Sequence, residues 1–275
     1  MDWWQAIVLG FVQGLTEFLP VSSSGHLMIF KELVGADAEG FLDFTVTVHF
    51  ATVLSTLIVF WSAIRKLIIG FFKFRDSDEM DYALKIFVSI IPVAIVGFVF
   101  KDAVEGLFGE NLTTVAIALV ITSLLLLLSD YAAKVFTFAR EEKNHARNGI
   151  SWWQAFVVGI AQALAVMPGL SRSGSTIATG LICGVRRDVI AQFSFLMVLI
   201  PIIGEQSLDI LKSLTGHADA AAGGVSLLCL ALGFAAAFAS GLFACKAMVA
   251  LVRKARLGWF SLYCLIVAAL IFILA

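Results

Sequence analysis

The sequence predicts an all-α polytopic membrane protein built as an inverted-topology repeat. Three observations predict it: the composition, one duplicated segment, and the distribution of basic residues. The chain has 275 residues, 60% of them hydrophobic and 14% charged, whereas soluble domains are roughly 45–50% apolar and about 25% charged. Most of the chain is therefore expected to lie in lipid. The net charge of −1 gives no reason to expect a nucleic-acid partner.

The duplicated segment is residues 2–27, which recur at 151–176 with 11 identities in 26 gapless positions. Each copy has an apolar run, a proline and a serine and glycine cluster, followed by a second short apolar run at 27–34 or 176–185. Neither run reaches the roughly 20 residues of a spanning helix. Each copy therefore predicts a re-entrant helix–loop–helix. Its turn must be buried in protein or line a wet cavity.

The rest of the chain predicts six spanning helices. They are residues 42–63, 82–100, 112–130, 190–211, 224–248 and 257–274. Residues 1–275 then form a single membrane domain, in which a basic linker, 131–150, joins a first half, 1–130, to a second half, 151–275. Each half has one hairpin and three spans, and because three is odd the second copy must be inverted relative to the first.

Basic residues give the orientation. Fourteen of the 19 Lys and Arg residues fall on one side of the predicted spans and three on the other, so the larger group is expected in the cytoplasm and both termini outside. The two serine-rich tips should meet near the membrane midplane. Small residues at 233–241 would allow close helix contact, which makes a second copy of the chain a candidate partner in a homodimer.

The second tip, PGLSRSGST at 168–176, predicts an anion site. Pro168 and Gly169 break the helix, and the helix that follows offers free N–H groups. Its hydroxyl residues are Ser171, Ser173 and Thr176. A charge such as that of Arg172 costs at least about 2.5–3.5 kcal/mol at membrane depth. It can bind phosphate through two hydrogen bonds, with the capping of nearby carbonyls as the alternative.

The first tip, QGLTEFLPVSSSGH at 13–26, supplies groups for hydrolysis. Gln13 and Glu17 share a helix face, and Glu17 could hold a divalent metal or act as a base. Ser23 is a candidate nucleophile, and His26 could transfer protons or attack phosphorus. Ser22 could bind phosphate, although it recurs as Ser171 and so is equally expected to form the turn. In the first span, His49 is a further candidate, with a structural role as an equal alternative.

These two motifs resemble the (E/Q)xxxE and PGxSRSxxT signatures of the undecaprenyl-diphosphate phosphatases, the bacitracin-resistance proteins. The resemblance covers essentially the whole chain. It implies a hydrolase of the bacterial inner membrane that converts the lipid undecaprenyl diphosphate to undecaprenyl phosphate and inorganic phosphate. That reaction recycles the lipid carrier for cell-wall synthesis and confers bacitracin resistance. The active site would open to the external, periplasmic side.

The resemblance also implies a divalent cation, Mg²⁺ or Ca²⁺, at Glu17 and Gln13. Some members have Glu at the first motif position, so in this chain any acid role falls on Glu17 alone. The motif positions that carry over are Gln13, Glu17, Ser23, His26, Arg172, Ser173 and Thr176. Of these, Glu17, Ser23, His26 and Arg172 are the expected catalytic residues. Whether Ser23, His26 or a water molecule attacks phosphorus stays open.

A transporter is the alternative function. Inverted repeats with broken helices that meet at the midplane are typical of transporters, so the same site could serve a lipid-phosphate flippase or an anion carrier. Glu17, Ser23 and His26 lie within ten residues, and a carrier needs an anion site but no nucleophile. The crowding of these groups favours hydrolysis.

Overall fold

A computed structural model describes residues 1–36, 40–73, 77–99, 112–140, 146–214, 225–254 and 257–274. Within these ranges the chain forms α-helices and no strand, which confirms the all-α prediction. The α-helices are α1 (Trp3–Phe18), α2 (Ser23–Val34), α3 (Phe41–Val59), α4 (Trp61–Phe72), α5 (Asp78–Val99), α6 (Leu112–Arg140), α7 (Trp152–Leu164), α8 (Arg172–Ile182), α9 (Arg187–Leu214), α10 (Leu227–Lys254) and α11 (Gly258–Leu274). A 3₁₀ turn, Arg147–Gly149, precedes α7.

Five helices of the described residues, α3, α5, α6, α9 and α10, are long and apolar enough to cross a membrane. This confirms a multi-pass membrane protein. The sixth predicted span corresponds to α11, which at 17 residues lies at the lower limit of about 17 for a spanning helix. The helices differ from the approximate predicted spans most clearly at α3 and α6. The first span ends at Val59 and a separate helix, α4, follows, while α6 continues to Arg140 into the predicted linker. Linker residues 141–145 lie outside the described residues.

Both duplicated segments form helix–loop–helix hairpins, and equivalent glutamines close them. The Nε2 of Gln5 donates a hydrogen bond of 2.9 Å to the carbonyl of Val34. The Nε2 of Gln154 donates one of 2.9 Å to the carbonyl of Cys183. In each copy the end of the second helix therefore returns to the start of the first, as a re-entrant segment requires.

The two halves are interleaved, since α1 packs against α10 and α7 packs against α5. Equivalent glycines allow these close approaches. A Cβ atom added to Gly10 would collide with the carbonyl of Gly233, and one added to Gly159 would collide with the carbonyl of Ser89. Each hairpin thus lies on a span of the other half. The inverted membrane orientation of the halves stays a prediction.

The small residues at 233–241 make their close contact inside the chain. A Cβ on Gly14 of α1 would collide with Ser240 and with the carbonyl of Ala237, and Ala237 is fully buried. α1 therefore covers the face of α10 that carries Gly233, Ala237 and Ser240, whereas Ala235 and Ala239 of the same stretch are exposed. The homodimer stays a prediction.

Candidate active site

The two hairpin tips touch each other. The backbone N–H of Gly169, in the second tip, donates to the hydroxyl of Ser24 at 3.4 Å. In the other direction, the Ser173 hydroxyl donates to the carbonyl of Leu19 at 3.1 Å. These contacts join residues on both sides of Pro20 to residues that follow Pro168, although they lie far apart in sequence.

Ser22 and Ser171 act as helix N-caps in this arrangement. The Ser22 hydroxyl accepts from the N–H of Gly25 at 3.3 Å, and the Ser171 hydroxyl accepts from the N–H of Gly174 at 3.1 Å. Serine is favoured at this position because it satisfies a first-turn N–H group. Both residues are buried, and neither lines the cavity at the tips. Their predicted phosphate contacts stay predictions.

A cavity at the tips lies among α1, α3, α8 and α9, and it brings together predicted residues from both copies. Its polar lining consists of Glu17, Thr52, Thr56, Arg172, Ser173, Thr176 and Ser194. The carboxylate of the first tip therefore faces the same space as the guanidinium of the second. Apolar residues of α9, among them Phe195 and Leu199, line the remainder. The cavity therefore has both polar and apolar walls.

The Glu17 carboxylate organises the first tip. Its Oε2 atom accepts a hydrogen bond of 2.6 Å from the Ser23 hydroxyl and one of 2.9 Å from the Gln13 side chain. The Nε2 of His49 lies 3.8 Å from the same oxygen. A carboxylate in short contact with a hydroxyl is the arrangement by which a base activates a nucleophile.

Arg172 begins α8, where unpaired backbone N–H groups favour anions. Its Nη1 atom is buried and has no hydrogen-bond partner among the described residues. Buried donors of native proteins are nearly always paired, so this donor is suited to a ligand oxygen. Thr176, one turn along α8, bonds to the Arg172 carbonyl at 2.9 Å and to the Ser194 hydroxyl at 2.5 Å.

His26 lies apart from the cavity lining. It is buried, its Nδ1 lies 2.7 Å from the Ser22 carbonyl oxygen, and its Nε2 lies 2.8 Å from the Tyr263 hydroxyl. Both ring nitrogens are therefore engaged within the protein. Of the expected catalytic residues, Glu17, Ser23 and Arg172 lie at or beside the cavity. His26 contacts the backbone of the first tip and does not line the cavity.

The sequence identified His49 as a further candidate, and its Nε2 lies 3.8 Å from the Glu17 carboxylate. Sequence reasoning missed two other neighbours of the site, Ser194 and Tyr263. Nothing in the sequence distinguishes Ser194 from other serines in the spans. Tyr263 lies 237 positions from His26 in a helix of otherwise apolar character, so only the packing reveals it.

The oxygen donors of the first tip fit a hard divalent cation that also binds substrate. Among the described residues, no three His, Cys, Asp or Glu side chains are grouped so that they could hold a metal ion. Gln13 has a buried Oε1 atom without a partner among the described residues, close to the Glu17 carboxylate. Mg²⁺ is commonly bound by one or two carboxylates together with substrate phosphates and water.

Comparisons with known proteins cover nearly the full chain. The family model described as "Bacitracin resistance protein BacA" matches residues 6–270. A relative from Parabacteroides distasonis, named "Undecaprenyl-diphosphatase", is 50% identical over 266 residues, covering 97% of this chain and 96% of its own. Relatives of the same name from Bacteroides fragilis (49%; 97% and 96% covered) and Christiangramia forsetii (44%; 99% and 98% covered) match similarly.

Proposed function

Since the chain belongs to the BacA family of bacitracin resistance proteins, we propose that it is an integral membrane undecaprenyl-diphosphatase. It hydrolyses undecaprenyl diphosphate to undecaprenyl phosphate and inorganic phosphate, which recycles the lipid carrier for cell-wall synthesis and gives resistance to bacitracin. The observation that carries the proposal is the joint cavity of Glu17 and Arg172, beside the Ser23 hydroxyl. The positively charged Arg172 side chain can bind the diphosphate. Cleavage of the diphosphate requires a base, which is Glu17, and a nucleophile, which is Ser23.

In the first step, Arg172 and the N-terminus of α8 bind the terminal phosphate. Glu17 takes the proton of the Ser23 hydroxyl, which lies 2.6 Å away. The Ser23 oxygen then bonds to the terminal phosphorus as the bond from that phosphorus to the bridging oxygen breaks. Undecaprenyl phosphate leaves with the bridging oxygen. Arg172 stabilises the negative charge on the transferring group, which is the main task of phosphoryl transfer.

In the second step, a water oxygen bonds to phosphorus and the bond to Ser23 breaks. Protonated Glu17 returns its proton to the Ser23 oxygen, and the released phosphate keeps the protons of the water. Direct attack by water, with Ser23 orienting it, is the alternative. The two routes differ in whether a phosphoserine forms.

Glu17 and the Oε1 atom of Gln13 would hold Mg²⁺ or Ca²⁺ in this site. Such a cation supplies neutralisation of charge on the phosphate oxygens. The residue set supports this assignment because its donors are all oxygens, which both ions prefer.

We infer that the protein lies in the bacterial inner membrane, with both termini and the mouth of the active site on the external side. The excess of Lys and Arg on the opposite side supports this orientation. The exposed tryptophan pairs at the bases of the two hairpins, Trp3 and Trp4 at one and Trp152 and Trp153 at the other, support the entry of the hairpins from opposite sides. Tryptophan is enriched at both membrane interfaces, and hairpins that enter from opposite sides would put one pair at each.

The test is release of inorganic phosphate from undecaprenyl diphosphate by purified protein, with Mg²⁺ or Ca²⁺ and with a chelator. We expect cation-dependent release that falls by at least about 10²–10³-fold in Arg172→Ala, the loss typical of a donor to transition-state charge. Arg186→Ala is the matched control, since Arg186 is exposed and paired with Asp188. An absence of release with lipid-diphosphate binding retained would replace the enzyme with a lipid-phosphate flippase or anion carrier.

A further inference from the structure

The backbone of Ser22 differs from that of its repeat partner. Ser22 has φ 70° and ψ 98°, whereas Ser171 has φ −68° and ψ 114°. Both are serine N-caps at the same place in the duplicated segment. A residue other than glycine at positive φ is uncommon, and it persists where its surroundings hold it there. The strain occurs only in the copy that carries Glu17.

The two copies also differ in the side chain at the fourth residue of the following helix. In the second copy, the Ser171 carbonyl accepts from the backbone N–H of Ser175 at 2.8 Å, and the Ser175 hydroxyl has no partner among the described residues. In the first copy, the Ser22 carbonyl accepts from the His26 N–H at 3.2 Å and also meets His26 Nδ1 at 2.7 Å. The Ser22 carbonyl therefore has a second donor, the His26 ring, on the peptide that leads into Ser23.

Proton positions follow from the partners of the ring. A carbonyl oxygen can only accept, so Nδ1 carries the hydrogen, and Nε2 of a neutral imidazole must then accept. The Tyr263 hydroxyl, 2.8 Å from Nε2, is the donor, and the two rings stack at 5.6 Å with an interplanar angle of 12°. The neighbouring Cys264 thiol reaches the Pro20 carbonyl at 3.7 Å. Two successive residues of α11, Tyr263 and Cys264, therefore both contact the first tip.

We propose that Tyr263 and His26 are positioning residues for Ser23. Tyr263 fixes the Nδ1–H tautomer of His26, His26 holds the Ser22 peptide, and that peptide sets the Ser23 hydroxyl against Glu17. The proposal rests on the proposed function for its kinetic consequence. It gives His26 a different task from nucleophile or proton carrier, because no ring nitrogen is left for the substrate.

Two substitutions of His26 separate these tasks. His26→Asn keeps an N–H donor at the position of Nδ1, while His26→Gln puts its amide near the position of Nε2. If His26 holds the Ser22 carbonyl, the Asn variant keeps at least tenfold more kcat than the Gln variant. If His26 attacks phosphorus or carries the proton, both variants lose activity equally, and that result overturns the proposal.

Tyr263→Phe keeps the stacked ring and removes only the hydroxyl. We expect kcat to fall by about 10–100-fold, the usual effect of losing a partner that orients a functional histidine, while KM stays near the wild-type value because Arg172 still binds phosphate. Tyr131→Phe, at an exposed position of α6, is the control. An unchanged kcat in Tyr263→Phe, or a rise in KM alone, would contradict a positioning role.

Histidine ¹⁵N NMR tests the tautomer of His26 independently of phosphate release. The chain has four histidines, and the signal of His26 is the one missing from His26→Asn. We expect the wild-type ring in the Nδ1–H form, with a shifted Nε2 signal in Tyr263→Phe. A ring in the Nε2–H form would overturn the proposal even in an active enzyme. The expected spectrum in a protein that releases no phosphate would instead overturn the proposed function.

Discussion

Glu17 is the residue at which the two tips and the first span converge. Its carboxylate contacts Gln13, Ser23 and His49, and it faces Arg172 across the cavity. We expect Glu17→Gln to keep the shape of the site and to lower kcat by about 10²–10⁴-fold, the contribution typical of a general base. Phosphate release measures the loss. Substrate affinity should change far less than kcat, and a kcat near that of the wild type would exclude Glu17 as the base.

Ser23 is expected to carry phosphate during turnover. Ser23→Ala should lose phosphate release by at least about 10³-fold, because the nucleophile is gone. Ser24→Ala is the matched control, since Ser24 bonds to the other tip and not to Glu17. Rapid quenching with substrate labelled at the terminal phosphorus should trap label on the wild-type protein alone. Fast turnover without trapped label, together with partial activity in Ser23→Ala, would favour direct attack by water.

At the residue scale, the sequence predicted the side chains of the two motifs better than it predicted their contacts with distant helices. Glu17, Ser23 and Arg172 stood out because they are polar or charged side chains at two of the positions where the duplicated segments differ, Glu17 opposite Val166 and Ser23 opposite Arg172. Tyr263 contacts His26 and His49 contacts Glu17 because their helices pack together. The spacing of residues along the sequence does not predict this packing. The capping roles of Ser22 and Ser171 were the expected alternative to phosphate binding, and helix geometry places them there.

Among the elements, α1 and α7 depend on glycines that face backbone of the other half. Gly10→Ala should lower the stability of the protein in detergent by about 1–3 kcal/mol or more, as overpacking does, because the carbonyl of Gly233 cannot move aside. Gly97→Ala is the control, since nothing lies within 4 Å of its Cβ position. Thermal unfolding in detergent measures both. Equal melting temperatures would mean that α1 and α10 lie farther apart.

Helix existence was easier to predict than helix ends. Hydropathy identified the spans, but it does not distinguish the end of α3 at Val59 from the start of α4 at Trp61, because both sides of that break are apolar. Residues 131–140 contain no helix breaker, so α6 runs on past its apolar part. In both hairpins the second helix begins earlier than its apolar run, because the serine-rich cluster supplies the cap and the first turn.

For the whole molecule, the orientation in the membrane is the prediction to test. In a chain whose four cysteines are replaced by alanine, single cysteines are placed at two exposed positions, Glu32 at the end of the first hairpin and Arg65 in α4. A maleimide that does not cross the membrane should label Glu32→Cys in intact cells, and Arg65→Cys only after the membrane is opened. The reverse labelling pattern would mean that the protein has the opposite orientation, with the mouth of the active site on the cytoplasmic side.

The interleaving of the halves also has a consequence for biosynthesis. The first hairpin buries its α1 face against α10, which ends at Lys254. At about 5–20 residues per second, the ribosome needs roughly 10–50 s after α1 to deliver that partner. During this interval the charged tip with Glu17 has no finished pocket in the bilayer. The burial of α1 can therefore be completed only after α10 has been made, so the first half does not reach its packed state on its own.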